Sequence, residues 1–314
     1  MRRRAALLLA AGLPLSRGAR AQPAPRPVQA RQVSASAWMV EGDAALGSPA
    51  NRNFISNAGI VLTPAGTVLV DALGAPALAR ELLAEVRRIG GRPVTHVVVT
   101  HYHADHIYGL QELQAQGARI LAHRGAREYL HSDTATARLA ASRTELTPWI
   151  DGATRLVPAD EWIDGPRELV VGGVRLLLQP VGPAHTPEDL VVALPGERVL
   201  FAGDLVFRGR IPFVGQADSR RWIGALDTLL ALEPAVLVPG HGPASTSARA
   251  DLQLTRDYLA HLRQAMGQAA RELEPFDDAY ARADWSRFEH LPLFRAANRM
   301  NAYNTYLLME REAR

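Results

Sequence analysis

The sequence predicts an α/β fold of four layers, helix–sheet–sheet–helix, with a helical extension at its C-terminal end. Three observations carry this expectation. The chain holds two strand-rich halves, each accompanied by amphipathic helical segments, and a sheet with helices on one face must bury its other face, most simply against a second sheet. Hydrophobic residues make up 47% and charged residues 21% of the 314 residues, the composition of a globular domain with a sizeable core. Three histidine-bearing motifs each follow a strand-like run, which places them at the ends of strands on a rigid scaffold.

The elements follow in order. Arg2, Arg3 and Arg4 precede a short apolar run over residues 5–15, and Ala19-Arg20-Ala21 offers a small-residue cleavage site. Residues 1–21 therefore read as a signal peptide, and export, most simply to a bacterial periplasm, is the expectation. The apolar run is too short to cross a bilayer and no longer one follows, so no stable membrane insertion is expected after cleavage. Residues 22–30, with Pro23, Pro25 and Pro27, read as a linker, and 31–314 as one domain. Strands are expected at 33–40 and 54–62, then a Thr-Pro-Ala-Gly turn at 63–66 and a buried strand at 67–71. Residues 76–89 are helical: Leu78, Leu82, Leu83, Val86 and Ile89 share one face, and Gly90-Gly91 stops the helix. The β-branched run 94–100 is a buried strand and 119–123 a weaker one.

The second half repeats the pattern. Runs 169–171 and 174–181 form a hairpin around Gly172-Gly173, and 190–194 pairs with 199–202 around Pro195-Gly196. Residues 219–232 form a helix capped by Asp218 or Ser219, with Trp222, Leu226, Leu229 and Leu230 inward. A buried strand at 235–238 and a long helix at 247–273 follow. From about 275 to 314 the chain is a mixed polar tail, helical near its end.

Composition removes several chemistries. The chain has no cysteine, which excludes disulfide scaffolds, thiolate metal sites and thiol nucleophiles. All 35 basic residues are arginines, which excludes Schiff-base lysines and a P-loop lysine. Five of them lie in the first 21 residues, where there is no acid; without that segment 30 arginines face 32 acids, a net charge of −2. Nucleic acid is therefore not an expected partner.

Five of the ten histidines fall in three compact motifs: His101-Tyr102-His103-Ala104-Asp105-His106, the segment 182–187 around His185, and Pro239-Gly240-His241-Gly242. Phe201-Ala202-Gly203-Asp204 lies between the last two. Imidazole and carboxylate without sulfur suit a catalytic rather than a structural zinc site. Five histidines and two aspartates exceed one tetrahedral ion and suit two ions sharing a carboxylate, about 3.5–4 Å apart. The other histidines, His96, His123, His131, His261 and His290, read as packed or surface residues.

On these motifs, in this order from about residue 33 to 241, the chain resembles the metallo-β-lactamase superfamily of metal-dependent hydrolases, whose fold is the αββα sandwich. The resemblance implies that His101, His103 and His185 bind one metal, that Asp105, His106 and His241 bind the second, and that Asp204 bridges them. It implies zinc, two ions per chain, with iron or manganese as alternatives, and it makes Asp71 a support for the metal loop. True β-lactamases commonly carry cysteine or serine at the position of Asp204; an aspartate resembles the glyoxalase II, lactonase and phosphodiesterase branches. Residues 203–215 and the tail 301–306 look most like SoxH-type periplasmic metallohydrolases, which accompany quinoprotein and sulfur-oxidation systems, so periplasmic redox systems are the implied partners. The lysine-containing glutathione site of glyoxalase II has no counterpart in a lysine-free chain.

The resulting expectation is an exported dinuclear zinc hydrolase that cleaves a small-molecule ester, thioester, lactone or amide bond by a metal-bridging hydroxide. Asp105 orients the hydroxide and carries a proton. Arg208 and Arg210 are candidates to clamp a substrate carboxylate or phosphate, and Tyr303, with Asn298, Asn301 and Asn304, to wall the site. Residues 42–53 correspond to a hairpin that flaps over the site in the family, with a passive connection as the alternative. Three other activities compete: a β-lactamase, a mononuclear iron sulfur dioxygenase, and a metal-binding module without turnover.

Overall fold

A computed structural model describes residues 26–215 and 217–313. The expected signal peptide and residues 22–25 of the linker lie outside the described residues.

The first sheet is built from β1 (Ala30–Gln32), β2 (Ala37–Val40), β3 (Ala58–Thr63), β4 (Gly66–Val70), β5 (Val94–Val98), β6 (Arg119–His123) and β7 (Glu161–Ile163), which lie side by side in chain order. β1 to β4 are antiparallel neighbours, with short connections from β1 to β2 and from β3 to β4 and the longer segment 41–57 between β2 and β3. β4 to β7 are parallel, and parallel neighbours need crossover connections, which here are helical. These crossovers are α1 (Pro76–Arg88), then α2 (Ala104–Ile107) with α3 (Leu110–Ala115), then α4 (Ala126–Leu130) with α5 (Asp133–Glu145).

The second sheet contains β8 (Arg167–Val171), β9 (Val174–Pro180), β10 (Leu190–Leu194), β11 (Val199–Phe201) and β12 (Val236–Val238) in the order β12-β11-β10-β9-β8. Only β11 and β12 are parallel, joined through α6 (Ser219–Ala231). Asp218 caps α6 by accepting the Arg221 N–H at 3.0 Å. Then come α7 (Ala248–Glu272), α8 (Phe276–Arg282) and α9 (Phe294–Ala313), with α9 laid against α7.

Three apolar layers separate these four. Between the sheets, Met39, Val61, Val68, Val70 and Val98 meet Leu176, Leu178, Val192 and Phe201. The other face of the first sheet, with Ile60, Leu69 and Val97, packs on Leu78, Leu82 and Leu113 of the helices. The alternation of Val68, Leu69 and Val70 between the two cores is the period of a strand buried on both faces. The other face of the second sheet packs on α6, α7 and α9 through Leu200, Trp222, Leu259 and Ala302. The result is the αββα arrangement that the sequence predicts.

The differences from expectation are local. The strand expected at 33–40 divides, because residues 33–36 turn back and pair β1 with β2. The strand expected from residue 54 begins at Ala58. Residues 54–57 serve the site instead. Helices α2 to α5 and the three-residue β7 were not anticipated; α5 buries only Ala135, Leu139 and Ser142, too narrow a stripe to read as a helix face. The polar tail is ordered as α8 and α9. Its buried positions include Asn298, Asn301 and Thr305, so its periodicity is hidden from an apolar pattern. Among the described residues no helix is long and apolar enough to cross a membrane.

Candidate metal centre

The seven candidate ligands converge on one edge of the sandwich, beyond the C-terminal ends of β5, β9, β11 and β12. His101 and His103 lie just past β5, and Asp105 and His106 are in the first turn of α2. His185 sits in the loop from β9 to β10, Asp204 in a 3₁₀ turn after β11, and His241 directly after β12. Two groups result: His101, His103, His185 and Asp204, and Asp105, His106 and His241, with the ligand atoms of each within 4.8 Å of one another.

Asp204 joins the two. Its Oδ2 lies 3.5 Å from His185 Nε2 and 3.8 Å from His101 Nε2. Oδ1 lies 3.1 Å from His106 Nε2, and Oδ2 lies 3.2 Å from His241 Nε2. Asp105 Oδ2 is 3.4 Å from His241 Nε2 and 3.7 Å from His106 Nε2. His185 Nε2 and His103 Nδ1 are 3.1 Å apart.

The outward nitrogens fix the tautomers. His106 Nδ1 donates to Asp71 Oδ2 at 2.8 Å, and His241 Nδ1 donates to the Ile55 carbonyl at 2.7 Å. His101 Nδ1 is 3.1 Å from the Thr100 hydroxyl, which itself donates to Asp71 at 2.8 Å. The Nε2 atoms are thereby left as lone-pair donors facing inward. His101 Nε2, His106 Nε2 and Asp204 Oδ1 are buried and lack a well-directed hydrogen-bond partner. Buried polar atoms are rarely left so. An all-nitrogen and oxygen donor set with orphaned atoms aimed at one volume fits divalent metal ions of the zinc class.

Electrostatics divides the histidines. Burial pushes His101, His103 and His185 below the ordinary imidazole value, His185 to about 3, so they are neutral ligands at neutral pH. Burial pushes His106 down as well, but the carboxylates of Asp204, Asp105 and Asp71 outweigh it and hold it well above that value. Burial would raise Asp204; the neighbouring His241, His106 and His101 overcome this and hold it well below the usual carboxylate range.

Residues that sequence reasoning missed shape this edge. Asn57 donates through Nδ2 to the carbonyls of Pro239 at 2.8 Å and Gly242 at 2.7 Å, gripping the chain on both sides of His241. Ser56 donates to the Asp105 carbonyl. Asp189 accepts the Thr186 N–H and hydroxyl, each at 2.8 Å, and so closes the turn that carries His185; burial pushes its carboxyl up to about 8. Gly240 passes so near that a Cβ there would stand 2.0 Å from Asp204 Oδ1. Only Asp189, four residues after His185, carried a signal, as a second acid beside a ligand motif. Asn57 and Ser56 lie far from every motif in the sequence.

Asp71 lies at the end of β4 with a left-handed φ of 65°, and accepts the Thr100 N–H at 2.8 Å besides its two side-chain partners. The arginine pair divides. Arg208 turns away, its Nε donating to Asp251 at 3.1 Å and Nη1 to Ala244 at 3.3 Å. Arg210 is buried, with Nη1 3.5 Å from His241 Nδ1 and its guanidinium 5.5 Å from the centre of the Phe207 ring. Phe207 in turn stacks on His241 at 4.9 Å. Tyr303 is exposed and packs edge-on against Phe276, in a surface hollow with Arg295 and Arg299. Asn298 and Asn301 are buried in α9 and face a polar network instead of the metal groups. Asn304 lines a cavity of about 660 Å³ that opens beside His103 and His185. Residues 42–53 are fastened to neighbouring segments: Trp149 Nε1 donates to Pro49 O at 2.8 Å, Asn53 to Gly74 O at 2.9 Å, and Arg52 pairs with Glu81.

The profile of the Metallo-beta-lactamase superfamily matches residues 51–241, more than half of the chain. The chain belongs to the metallo-β-lactamase superfamily. All seven ligand candidates fall within the matched span. Linear primary-alkylsulfatase of Pseudomonas sp. (strain ATCC 19151) is 25% identical over 241 residues, 65% of this chain and 45% of that protein. The chain thus spans under half the length of that relative. Metallo-beta-lactamase type 2 of Bacillus cereus is 29% identical over 192 residues, 60% of this chain and 67% of that one. Among solved structures, the sec-alkylsulfatase Pisa1 from Pseudomonas sp. superposes with a TM-score of 0.69 at 20% identity, over 90% of this chain and 50% of its own. A metallo-beta-lactamase from Pontibacter korlensis gives 0.58 at 24% identity, over 74% of this chain and 98% of its own. At these identities the two structures share the fold with this superfamily member.

Proposed function

We propose that the protein is an exported dinuclear zinc hydrolase that cleaves an ester, thioester, lactone or amide bond in a small molecule. The observation that carries this reading is the position of Asp204, whose oxygens lie between 3.1 and 3.8 Å from inward nitrogens of both histidine groups. One carboxylate shared by two three-residue sets suits two ions and closes neither set. His101, His103 and His185 would hold one ion, Asp105, His106 and His241 the other. Two such ions, when bound, supply Lewis acidity and lower the pKa of water toward neutrality.

The rest falls to the chain's own groups. Asp105 has a side chain 17% exposed, against 4% for Asp204, so its carboxylate is the one that meets solvent and can carry a proton to a leaving group. Arg210 adds a fixed positive charge beside His241, suited to a developing oxyanion or a small anionic head. Sulfate-ester cleavage is the second reading, favoured by this arginine and by the 25% match to an alkylsulfatase.

The test uses the chain without residues 1–21, zinc-loaded, with metal counted in the same sample. Substrates are a chromogenic cephalosporin, an aryl ester, a thioester, a lactone and an alkyl sulfate. Chelator-sensitive turnover of a carbonyl substrate other than the cephalosporin, with two ions bound, supports the proposal. Turnover of the cephalosporin alone makes the enzyme a β-lactamase. One iron per chain with oxygen uptake points to a dioxygenase, and two ions with no turnover to a metal-binding module; both overturn the hydrolase reading. Export is tested by N-terminal sequencing of protein from the periplasm, with Gln22 as the expected first residue.

A further inference from the structure

We propose that the cavity beside the metal centre selects substrates whose distal group is apolar and ends neutral or cationic, and rejects anionic ends. The proposal rests on the hydrolase reading, because it takes the bond to be cleaved as lying at the ligand groups. The cavity opens at His103 and His185, so a substrate held there would extend into it. At about 660 Å³ it accommodates a group of the size of a drug-like molecule. Tyr129 of α4, Phe213 and Val214 of the segment after Asp204, and Met300 of α9 supply its apolar walls.

The charges around it are unevenly placed. Among the described residues no arginine lines the cavity, although the chain has 35 of them. Two carboxylates do: Glu188, buried at 4% exposure with Oε1 accepting the Tyr102 N–H at 3.3 Å, and Glu128 on the exposed side of α4. The buried cation of the centre, Arg210, stands at the other ligand group, against His241 and Phe207. The site is therefore polarised, with positive charge beside the second ligand group and negative charge along the apolar cavity. An anionic tail in the cavity would lose its water and meet like charge, whereas a neutral tail loses nothing and an ammonium gains a partner. Specificity here comes from repulsion as much as from fit.

The experiment measures binding, so that it does not depend on turnover. Three hexanethiols, ending in methyl, ammonium or carboxylate, are titrated into the zinc-loaded chain by calorimetry. The thiolate seats at zinc and the tail enters the cavity. The expected order is ammonium at least as tight as methyl, with carboxylate weaker by about tenfold or more. Glu188→Gln, which keeps an acceptor for Tyr102, and Glu128→Arg, on a solvent-facing helix, should each narrow that gap by several-fold at unchanged metal content. A carboxylate-ended thiol that binds as tightly as the others overturns the proposal, as does a gap that neither variant changes. The expected ranking without turnover of any substrate above would leave the cavity's selectivity standing and remove the hydrolase reading alone.

Discussion

Asp71 acts from outside the ligand set. Its carboxylate holds His106 directly and His101 through the Thr100 hydroxyl, so one side chain orients a histidine in each metal group. Asp71→Asn should weaken metal affinity by about 10–100-fold. Competition against a chromophoric chelator measures this, and an unchanged affinity would remove Asp71 from the centre. His106 makes a second prediction. In the metal-free form the carboxylates of Asp204, Asp105 and Asp71 outweigh burial and favour its protonated state, whereas a ligand must be neutral. Metal loading should therefore release protons, and affinity should climb as pH rises. Calorimetry in two buffers of different ionisation heat reads the proton count; a count of zero contradicts the assignment.

At the scale of elements, the C-terminal helix α9 lines the cavity with Met300 and Asn304 and also acts on it through the segment it fastens. Asn301 accepts the Val214 N–H at 2.9 Å and donates to Pro212 O at 2.7 Å, while Tyr258, Asn298 and Tyr280 continue the network behind it. Val214 and Phe213 wall the cavity, so α9 sets the cavity's shape without touching a ligand residue through Asn301. Asn301→Ala leaves buried backbone groups unpaired and should cost about 1–3 kcal/mol of stability. Bound metal should be unchanged and KM should rise for substrates that fill the cavity. Denaturant melts, metal counts and separate kcat and KM values check all three, and loss of metal in this variant would show that α9 acts on the centre itself.

Across the whole molecule, the candidate metal centre lies at a seam between the two halves. His101, His103, Asp105 and His106 follow a strand of the first sheet, and His185, Asp204 and His241 adjoin strands of the second. Bound ions would tie the two sheets together at one edge, and unfolding must break that tie. Stripping the metal should lower Tm, and at a free-ion concentration about 100-fold above Kd the bound form should gain about 2.7 kcal/mol. Thermal melts across a buffered zinc series test this: Tm should rise with the logarithm of free zinc. A Tm that does not respond would mean that the ions do not bind the native form in preference to the unfolded chain.

Most strands of the two sheets, helices α1, α6 and α7, and the seven candidate ligands were legible in the sequence because local signals carry them. A β-branched run followed at once by His101-Tyr102-His103-Ala104-Asp105-His106 announces both strand and site. What the tertiary structure decided are the relations between distant segments. Arg208 and Arg210 stand two residues apart and look alike in the sequence. Folding gives one to Asp251 and buries the other against His241 and Phe207, because the chain turns at Gly209, where φ is 71°. Asn57 shows no motif, yet it grips the His241 loop more than 180 residues away. Periodicity and spacing report which face of its own element a residue occupies. They do not report which distant backbone group will lie within hydrogen-bond reach, since that depends on how the two sheets pack. The sequence by itself therefore determined the donor atoms and the scaffold, and the packing of the sheets and of α9 decided which arginine, which carboxylates and which apolar walls surround them.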